Sequence, residues 1–243
     1  MKHLGYTRGC QQPNHLLLTP DTFVRAPLPG MQKATATVHA APRLGARFTE
    51  YSAEFEPDGT LGDTPLQRFI YVLDGGLRFT CPHFREDLLA GDYVYMPAGA
   101  AHSVCALETT RALVIEKPYQ DLPGATAPAS FRGSLGRAVS QPLMGDPEVQ
   151  VRPLLPDSPQ FDFALNSMTF APGASLPMVE IHVMEHGLLM LDGGGIYRLG
   201  DCWHPVAAGD FIWMAPYCPQ WFCAVGKTPA QYLIYKDWNR HAD

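Results

Sequence analysis

Residues 91–98 read GDYVYMPA, and residues 209–216 read GDFIWMAP. The separation of 118 residues recurs: YVLDG at 71–75 matches LMLDG at 189–193 with the same offset. Both pairs combine a short apolar run with Gly and Asp, the residue types that end strands and form tight turns. Repeated segments in the same order predict two copies of one structural unit.

A third pair extends this internal repeat. LVIEK at 113–117 matches YLIYK at 232–236, with the offset shifted to 119. Three collinear matches argue against chance similarity between two β-rich segments. Helical periodicity is nearly absent, whereas apolar and polar residues alternate in segments such as TATVH at 35–39. The chain is therefore predicted to be all-β, an antiparallel sandwich or barrel in each copy.

Composition supports this organisation. The 243 residues include 22 Gly and 23 Pro, well above average usage, as expected for many turns between short strands. Residues 118–147 are rich in Pro, Gly, Ala and Ser and carry little hydrophobic pattern. We therefore predict an N-terminal barrel over 1–117, a linker over 118–147 with room for one short helix, and a C-terminal barrel over 148–243.

Charge and apolar runs exclude several classes of protein. The net charge of −6 argues against a nucleic-acid partner. Apolar stretches end well short of the roughly 18 residues of a membrane helix, and the N-terminus lacks the apolar segment of an export signal. Six cysteines form no CxxC motif. We expect a cytoplasmic protein with reduced thiols and no membrane contact, a Cys218–Cys223 disulfide being the alternative.

One of the repeated segments resembles a motif of the cupin superfamily. Gly91, Pro97, Gly99 and His102 fit the second cupin motif, G-x5-P-x-G-x2-H-x3-N, as far as its histidine. The C-terminal copy fits it by spacing, with changed letters. The resemblance covers nearly the whole chain and is most specific over 173–240. It implies a bicupin, two jelly-roll β-barrels in tandem.

The strongest site signal is EIHVMEHG at 180–187. Glu180, His182 and His186 have the spacing of the first cupin motif, and on one unbroken strand they would share a face. The resemblance adds Gln220, eleven residues after Gly209, as a fourth metal ligand. Two imidazoles, a carboxylate and an amide oxygen suit Mn²⁺, with Fe²⁺ or another divalent ion as alternatives. The other interpretation of the three-residue set is an ordinary solvated strand face.

The N-terminal copy lacks a comparable set. The offset of 118 places Gly62, Thr64 and Arg68 at the three corresponding positions, and His102 stands alone. Arg68 would put a positive charge where an ion should sit. We therefore expect one metal ion per chain, in the C-terminal barrel, and an N-terminal barrel that binds an anion or supports assembly.

Lys236 is the next candidate. Residues 232, 234 and 236 alternate with 233 and 235, so a phenol and an ammonium group would share one strand face. If that face points into the barrel, both groups reach towards the metal. A lysine at a strand end that extends to solvent is the alternative. Tyr197 would line the same cavity or be an ordinary core tyrosine.

Three patterns together resemble the (S)-ureidoglycine aminohydrolase family of allantoin (purine) degradation. They are E-x-H-x3-H-G, then G-D-x-I-x-M with Gln220, and a terminal Y-x3-K-D-x-N-R. The resemblance implies a manganese-dependent bicupin hydrolase that releases ammonia from (S)-ureidoglycine, a small-molecule substrate, and gives (S)-ureidoglycolate. It implies substrate contacts for five residues: Glu180, Tyr197, Gln220, Tyr232 and Lys236. Of these we expect Glu180 and Lys236 to be catalytic: Lys236 would pair with the substrate carboxylate, and either Glu180 or a metal-bound water would move protons. Glu180 and Gln220 would contact both metal and substrate.

Two other functions remain open at this point. A cupin dioxygenase or isomerase would use the same four ligands with a different small acid, and a metal-free cupin would bind a small molecule without catalysis. Plant members of the family have a secretory leader, and its absence here favours a bacterial-type cytoplasmic form. Edge strands and analogy with other bicupins lead us to expect a homo-oligomer.

Overall fold

The computed structural model describes residues 6–240. Regular structure within this range consists of twenty β-strands and three single-turn 3-10 helices, at Pro20–Thr22, Pro42–Leu44 and Leu135–Arg137. The all-β prediction is therefore confirmed. Among the described residues, no helix combines the length and apolar character needed to cross a membrane.

The strands fall into two compact units. In chain order they are β1 Cys10–Gln12, β2 His15–Leu18, β3 Gln32–Ala40, β4 Thr49–Thr60, β5 Gln67–Asp74, β6 Gly76–Thr80, β7 Arg85–Leu89, β8 Asp92–Met96, β9 Ser103–Ala106, β10 Thr110–Lys117, β11 Phe131–Ser134, β12 Gln141–Leu143, β13 Asp146–Pro153, β14 Phe163–Phe170, β15 His186–Asp192, β16 Gly194–Leu199, β17 Cys202–Ala207, β18 Phe211–Met214, β19 Gln220–Ala224 and β20 Ala230–Asp237. Val24–Ala138 forms the N-terminal unit, and the chain on either side, up to Phe23 and from Val139, forms the C-terminal unit.

The N-terminal unit is a sheet that curves around its own core. Its strand order is β11-β8-β5-β10-β4-β9-β6-β7, with β3 on β4. Strand β4 is long enough to pair with β10 and, through Thr60, with Cys105 of β9. Alternate residues of β4, Tyr51, Ala53 and Phe55, lie in the core, as the pleat of a strand requires. Strand β4 thus connects the part of the sheet that contains β10 with the part that contains β9.

The C-terminal unit consists of two sheets. The larger has the order β1-β2-β18-β15-β20-β14-β13-β12, and the smaller has the order β17-β16-β19. Met190 and Ile212 of the larger sheet join Leu199 and Phe222 of the smaller one in a single apolar cluster. Burial of these side chains between the sheets removes apolar surface from water and holds the barrel together.

The N-terminal strands belong to the C-terminal unit, which differs from the predicted boundary at 117. Leu16 of β2 pairs with Trp213 of β18, so β2 extends the larger sheet. Arg8 also forms an ion pair of 2.6 Å with the buried Asp210. Pairing with β2 protects backbone groups of β18 that an edge strand would expose. Residues 1–5 and 241–243 of the predicted domains lie outside the described range.

The predicted linker is partly built into the sheets. Within 118–147, β11 pairs with β8 of the N-terminal unit and β12 pairs with β13 of the C-terminal unit. A 3-10 turn at Leu135–Arg137 corresponds to the short helix allowed for. Edge strands satisfy backbone hydrogen bonds without a strong apolar pattern, so composition alone did not reveal them.

The structure also corrects the register of the third repeat. Arg68 of β5 pairs with Glu116 of β10, and His186 of β15 pairs with Lys236 of β20. Glu116 therefore corresponds to Lys236, with an offset of 120 rather than 119. The one-residue difference matters because successive side chains of a strand point to opposite faces.

Candidate metal and substrate site

A cavity of about 260 Å³ lies inside the C-terminal unit. It brings together all seven residues that the sequence singled out: Glu180, His182, His186, Tyr197, Gln220, Tyr232 and Lys236. Apolar side chains, among them Met168, Leu176 and Ile234, complete the wall. A small, mostly apolar pocket with a few convergent polar groups is the usual form of a small-molecule site.

The segment that carries the acidic and imidazole groups is not one strand, so the expectation of an unbroken strand is wrong. Glu180 forms an isolated bridge with Gln220, with backbone N–H···O distances of 2.8 and 2.9 Å. The chain then leaves the sheet, and β15 begins only at His186. The Tyr217 N–H donates to the His182 carbonyl at 2.6 Å and fixes the intervening loop. The side chains therefore converge through two backbone anchors rather than through strand periodicity.

The two histidines differ in their surroundings. His182 Nε2 lies 3.1 Å from Glu180 Oε2, whereas both ring nitrogens of His186 are buried without a hydrogen-bond partner of good geometry. The rings meet edge to face with centroids 5.4 Å apart. Burial, helped by the nearby His182 and Lys236, lowers the pKa of His186 to about 3. His186 is thus neutral and keeps a lone pair for a ligand.

The donor set fits a divalent cation. His182 and His186 offer imidazole nitrogens, Glu180 a carboxylate and Gln220 an amide oxygen, a combination that suits Mn²⁺ or Fe²⁺. The unpartnered nitrogens of His186 are the structural sign of such a ligand, because a buried polar atom normally has a partner. The ligand atoms of Glu180, His182 and His186 do not all lie within 4.8 Å of one another, so ion binding would draw them together.

Two buried tyrosines supply neutral hydrogen-bond donors. The Tyr197 hydroxyl donates to Gln220 Oε1 at 3.2 Å and orients that amide. Burial, assisted by the nearby charge of Glu180, raises the pKa of both Tyr197 and Tyr232 well above the ordinary value for a phenol. Both phenols therefore stay protonated at neutral pH and can donate a hydrogen bond, but they do not act as bases.

Lys236 lies in the cavity wall, and its Nζ atom lies 4.0 Å from the centre of the Trp238 ring. Burial lowers the pKa of Lys236, and Asp157 and Glu180 partly oppose this shift. An ammonium group held over an aromatic face is a desolvated cation in a defined position. Trp238 was not among the predicted residues, although its place two residues after Lys236 was visible in the sequence.

The equivalent place in the N-terminal unit holds an ion pair. The Arg68 guanidinium donates to Glu116 at 2.7 Å and to the Gly62 carbonyl at 2.8 Å, and its Nη1 lies 2.9 Å from His102 Nε2. Arg68 is almost fully buried. A guanidinium charge that is already paired with a carboxylate leaves no site for a cation.

Comparisons with known proteins agree with this architecture. The cupin-domain family model matches residues 166–235. A probable (S)-ureidoglycine aminohydrolase from Oryza sativa subsp. japonica is 41% identical over 97% of this chain and 77% of its own length. The (S)-ureidoglycine aminohydrolase of Arabidopsis thaliana is 39% identical over 98% of this chain and 80% of its own. The chain belongs to the (S)-ureidoglycine aminohydrolase family.

A solved structure has the same fold. Protein Ylba from Escherichia coli is 30% identical, and the match covers 98% of this chain and 96% of that one with a TM-score of 0.86. The aminohydrolase family resemblance and the bicupin fold predicted from the sequence are both confirmed.

Proposed function

We propose that the protein is a manganese-dependent (S)-ureidoglycine aminohydrolase, which releases ammonia from (S)-ureidoglycine and gives (S)-ureidoglycolate. Membership of the family over almost the whole chain supports the substrate. The observation that carries the proposal is the cavity itself. It gathers two imidazoles, one carboxylate, two amides, two phenols and one ammonium group beside apolar side chains.

The metal in this proposal is Mn²⁺, held by Glu180, His182, His186 and Gln220. The free nitrogens of His186 and the amide orientation set by Tyr197 support this ligand set. When bound, the ion supplies a positive charge that orients the substrate and stabilises developing negative charge. Fe²⁺ and other divalent ions with oxygen and nitrogen preferences fit the same donors.

Lys236 binds the substrate carboxylate in this proposal. Its ammonium group lines the cavity and cannot coordinate a metal ion, so it is free to pair with an anion. The Trp238 ring restricts its position. The neutral hydroxyls of Tyr197 and Tyr232 donate hydrogen bonds to the remaining polar atoms of the substrate. Met168 and Ile234 exclude water beside the reacting carbon. Together these contacts hold the substrate in one orientation, which lowers the entropic part of the barrier.

Glu180 moves the proton. The reaction breaks a C–N bond and forms a C–O bond at the same carbon, so the leaving amino group must gain a proton and the incoming water must lose one. Among residues 6–240, Glu180 is the one carboxylate that lines the cavity. We infer that it takes the proton of the water and returns it to the nitrogen. Proton transfer by a positioned carboxylate typically contributes about 10²–10⁴-fold to the rate.

The test is ammonia release from freshly generated (S)-ureidoglycine by manganese-loaded protein. We expect turnover by the wild type, loss of about 10²-fold or more in Glu180→Gln, and wild-type activity in Glu148→Gln. Glu148 is an exposed carboxylate of the same unit and serves as the matched control. Full manganese occupancy without ammonia release above the spontaneous rate would contradict the substrate assignment and favour another cupin reaction.

We also propose that the protein forms a homo-oligomer. Strands β7 and β12 are the last strands of their sheet orders, so they carry backbone groups that can pair with another chain. Light scattering at micromolar concentration measures the mass directly. A mass equal to one chain of 26.7 kDa across the accessible concentration range would contradict the proposal.

A further inference from the structure

A second cluster of metal-ligand residues lies outside the cavity. Cys10 on β1, His15 on β2 and His204 on β17 each place a ligand atom within 4.8 Å of the other two. Between residues 6 and 240, this is the one group of three or more His, Cys, Asp or Glu side chains that meets so closely. None of the three lines the cavity described above.

One nitrogen of each imidazole in this cluster is buried and has no hydrogen-bond partner. The Nε2 atoms of His15 and His204 are both shielded from solvent without a hydrogen-bond partner. Their rings meet at 67° with centroids 5.5 Å apart. Buried polar atoms normally find a partner, and two unpaired nitrogens in one cluster call for a ligand that is not a side chain. Burial lowers the pKa of both histidines, which keeps the rings neutral.

The hydrogen bond of Asn14 prepares His15 to act as a ligand. His15 Nδ1 lies 2.9 Å from Asn14 Oδ1. Because an amide oxygen can only accept, the Nδ1 atom carries the proton and Nε2 presents its lone pair. A metal-bound histidine usually has this kind of support, since an acceptor bonded to its other ring nitrogen fixes both the tautomer and the ring orientation.

We propose that Cys10, His15 and His204 form a second metal site, which binds Zn²⁺ or a similar thiolate-preferring ion. One thiolate and two imidazoles suit tetrahedral Zn²⁺ with water as the fourth ligand, whereas Mn²⁺ prefers oxygen-rich sites. Cys10 is partly exposed, which gives the ion a route from solvent. Its thiol proton passes to solvent on binding. The expectation of one metal per chain thus becomes one ion at the cavity and one at this cluster.

The proposed ion would connect the two sheets of the C-terminal unit. Strands β1 and β2 are at the edge of the larger sheet, and β17 is at the edge of the smaller one. A single ion bound to all three would fasten the N-terminal hairpin to the barrel. Ligands that bind only the folded state stabilise it by mass action, so Zn²⁺ should raise the melting temperature.

The experiment uses chelator-treated full-length protein with the His182→Ala substitution, which removes a ligand of the cavity. Titration with Co²⁺ should then give one equivalent of binding and a near-ultraviolet charge-transfer band from thiolate to cobalt. X-ray absorption of the zinc-loaded protein should show one sulfur neighbour at about 2.3 Å. The four proposed cavity ligands offer only nitrogen and oxygen, and the Cys10→Ser variant shows which site supplies the sulfur, so failure of the manganese proposal would leave this signature unchanged.

Four variants test the assignment. Cys10→Ser and His204→Gln should each remove the band or the bound equivalent, while Cys202→Ser, which changes an exposed thiol of β17, should keep both. Asn14→Ala should weaken Zn²⁺ binding about 10–100-fold, because it removes the hydrogen bond that orients the His15 ring. Absence of the sulfur neighbour, or a charge-transfer band that survives Cys10→Ser, would overturn the proposal.

Discussion

Across strands β5 and β10 of the N-terminal unit, Arg68 stands opposite Glu116; across β15 and β20 of the C-terminal unit, the same ladder positions hold His186 and Lys236. The first pair is a closed ion pair with an N···O distance of 2.6 Å. In the second pair, both ring nitrogens of the histidine are buried without a hydrogen-bond partner of good geometry. One unit therefore satisfies its interior charge with its own chain, and the other leaves donors open for a ligand.

Two further positions follow the same division. His102 corresponds to Gln220, and Phe79 corresponds to Tyr197, by the offset of 118. Phe79 stacks on His102 at a centroid distance of 5.6 Å, whereas the Tyr197 hydroxyl donates to Gln220. The polar phenol replaces an apolar contact only in the unit that has the cavity. A few substitutions inside one fold thus separate a structural barrel from a candidate binding barrel.

Manganese content gives the sharpest contrast between the units. His182→Ala should reduce bound Mn²⁺ from about one equivalent per chain to near zero, because the substitution removes one of the two imidazole donors. His102→Ala should leave the content unchanged, since His102 contacts Arg68 and not an open site. Elemental analysis after manganese loading measures both. Equal loss of manganese in the two variants would break the comparison.

The next effect is on stability. Arg68→Met leaves the side chain of Glu116, which is 14% exposed, without its ion-pair partner. Removal of one member of a buried pair typically costs about 3–5 kcal/mol of unfolding free energy, because the remaining charge stays desolvated. Urea denaturation followed by fluorescence measures the change, and manganese content should persist under native conditions.

The matched control is Arg132→Ala. Arg132 pairs with Glu86 at 2.8 Å, but its side chain is 53% exposed. An exposed pair contributes about 0–1 kcal/mol. Similar losses of unfolding free energy in the two arginine variants would contradict a special stabilising role of the buried ion pair in the N-terminal unit.

The sequence predicted the all-β fold because alternation, Gly-Asp turns and an internal repeat are local signals. It also predicted the residues around the cavity, because Glu180, His182 and His186 keep a family spacing. That spacing survives although the strand between them is interrupted. Motif spacing specifies which side chains meet in the site, but it does not specify the backbone conformation between them.

Other features depended on non-local pairing. Strand β2 pairs with β18, which lies almost 200 residues later in the chain. The three consecutive leucines at 16–18 do not indicate which strand they pair with. The repeat aligned Lys117 with Lys236, because both faces of a buried strand carry similar apolar letters. Likewise, Cys10 and His204 have no motif spacing, and only the fold brings them together.

Lys236 tests whether the open barrel binds an anionic substrate. Lys236→Met keeps the aliphatic stem and removes the charge. Loss of this charge-assisted contact should weaken binding of the transition state by about 1.5–3 kcal/mol. The value of kcat/KM for ureidoglycine should therefore fall roughly ten- to more than a hundredfold. Bound manganese should not change, because an ammonium group is not a ligand. An unchanged kcat/KM would return Lys236 to the role of a strand-end lysine.

The smallest effect should come from Tyr197→Phe, which installs in the C-terminal unit the residue that the N-terminal unit already has at position 79. The ring can keep its contact with Phe222, whose centroid lies 5.5 Å away, so packing should be preserved. Only the hydroxyl that donates to Gln220 Oε1 at 3.2 Å is lost. A neutral hydrogen bond contributes about 0.5–1.5 kcal/mol, which predicts a two- to tenfold decrease in kcat/KM with manganese content unchanged. Steady-state kinetics beside elemental analysis measures both quantities. Loss of manganese in this variant would show that the phenol holds Gln220 in place for the ion. If neither manganese content nor kcat/KM changed, the difference between Phe79 and Tyr197 would have no part in separating the two barrels.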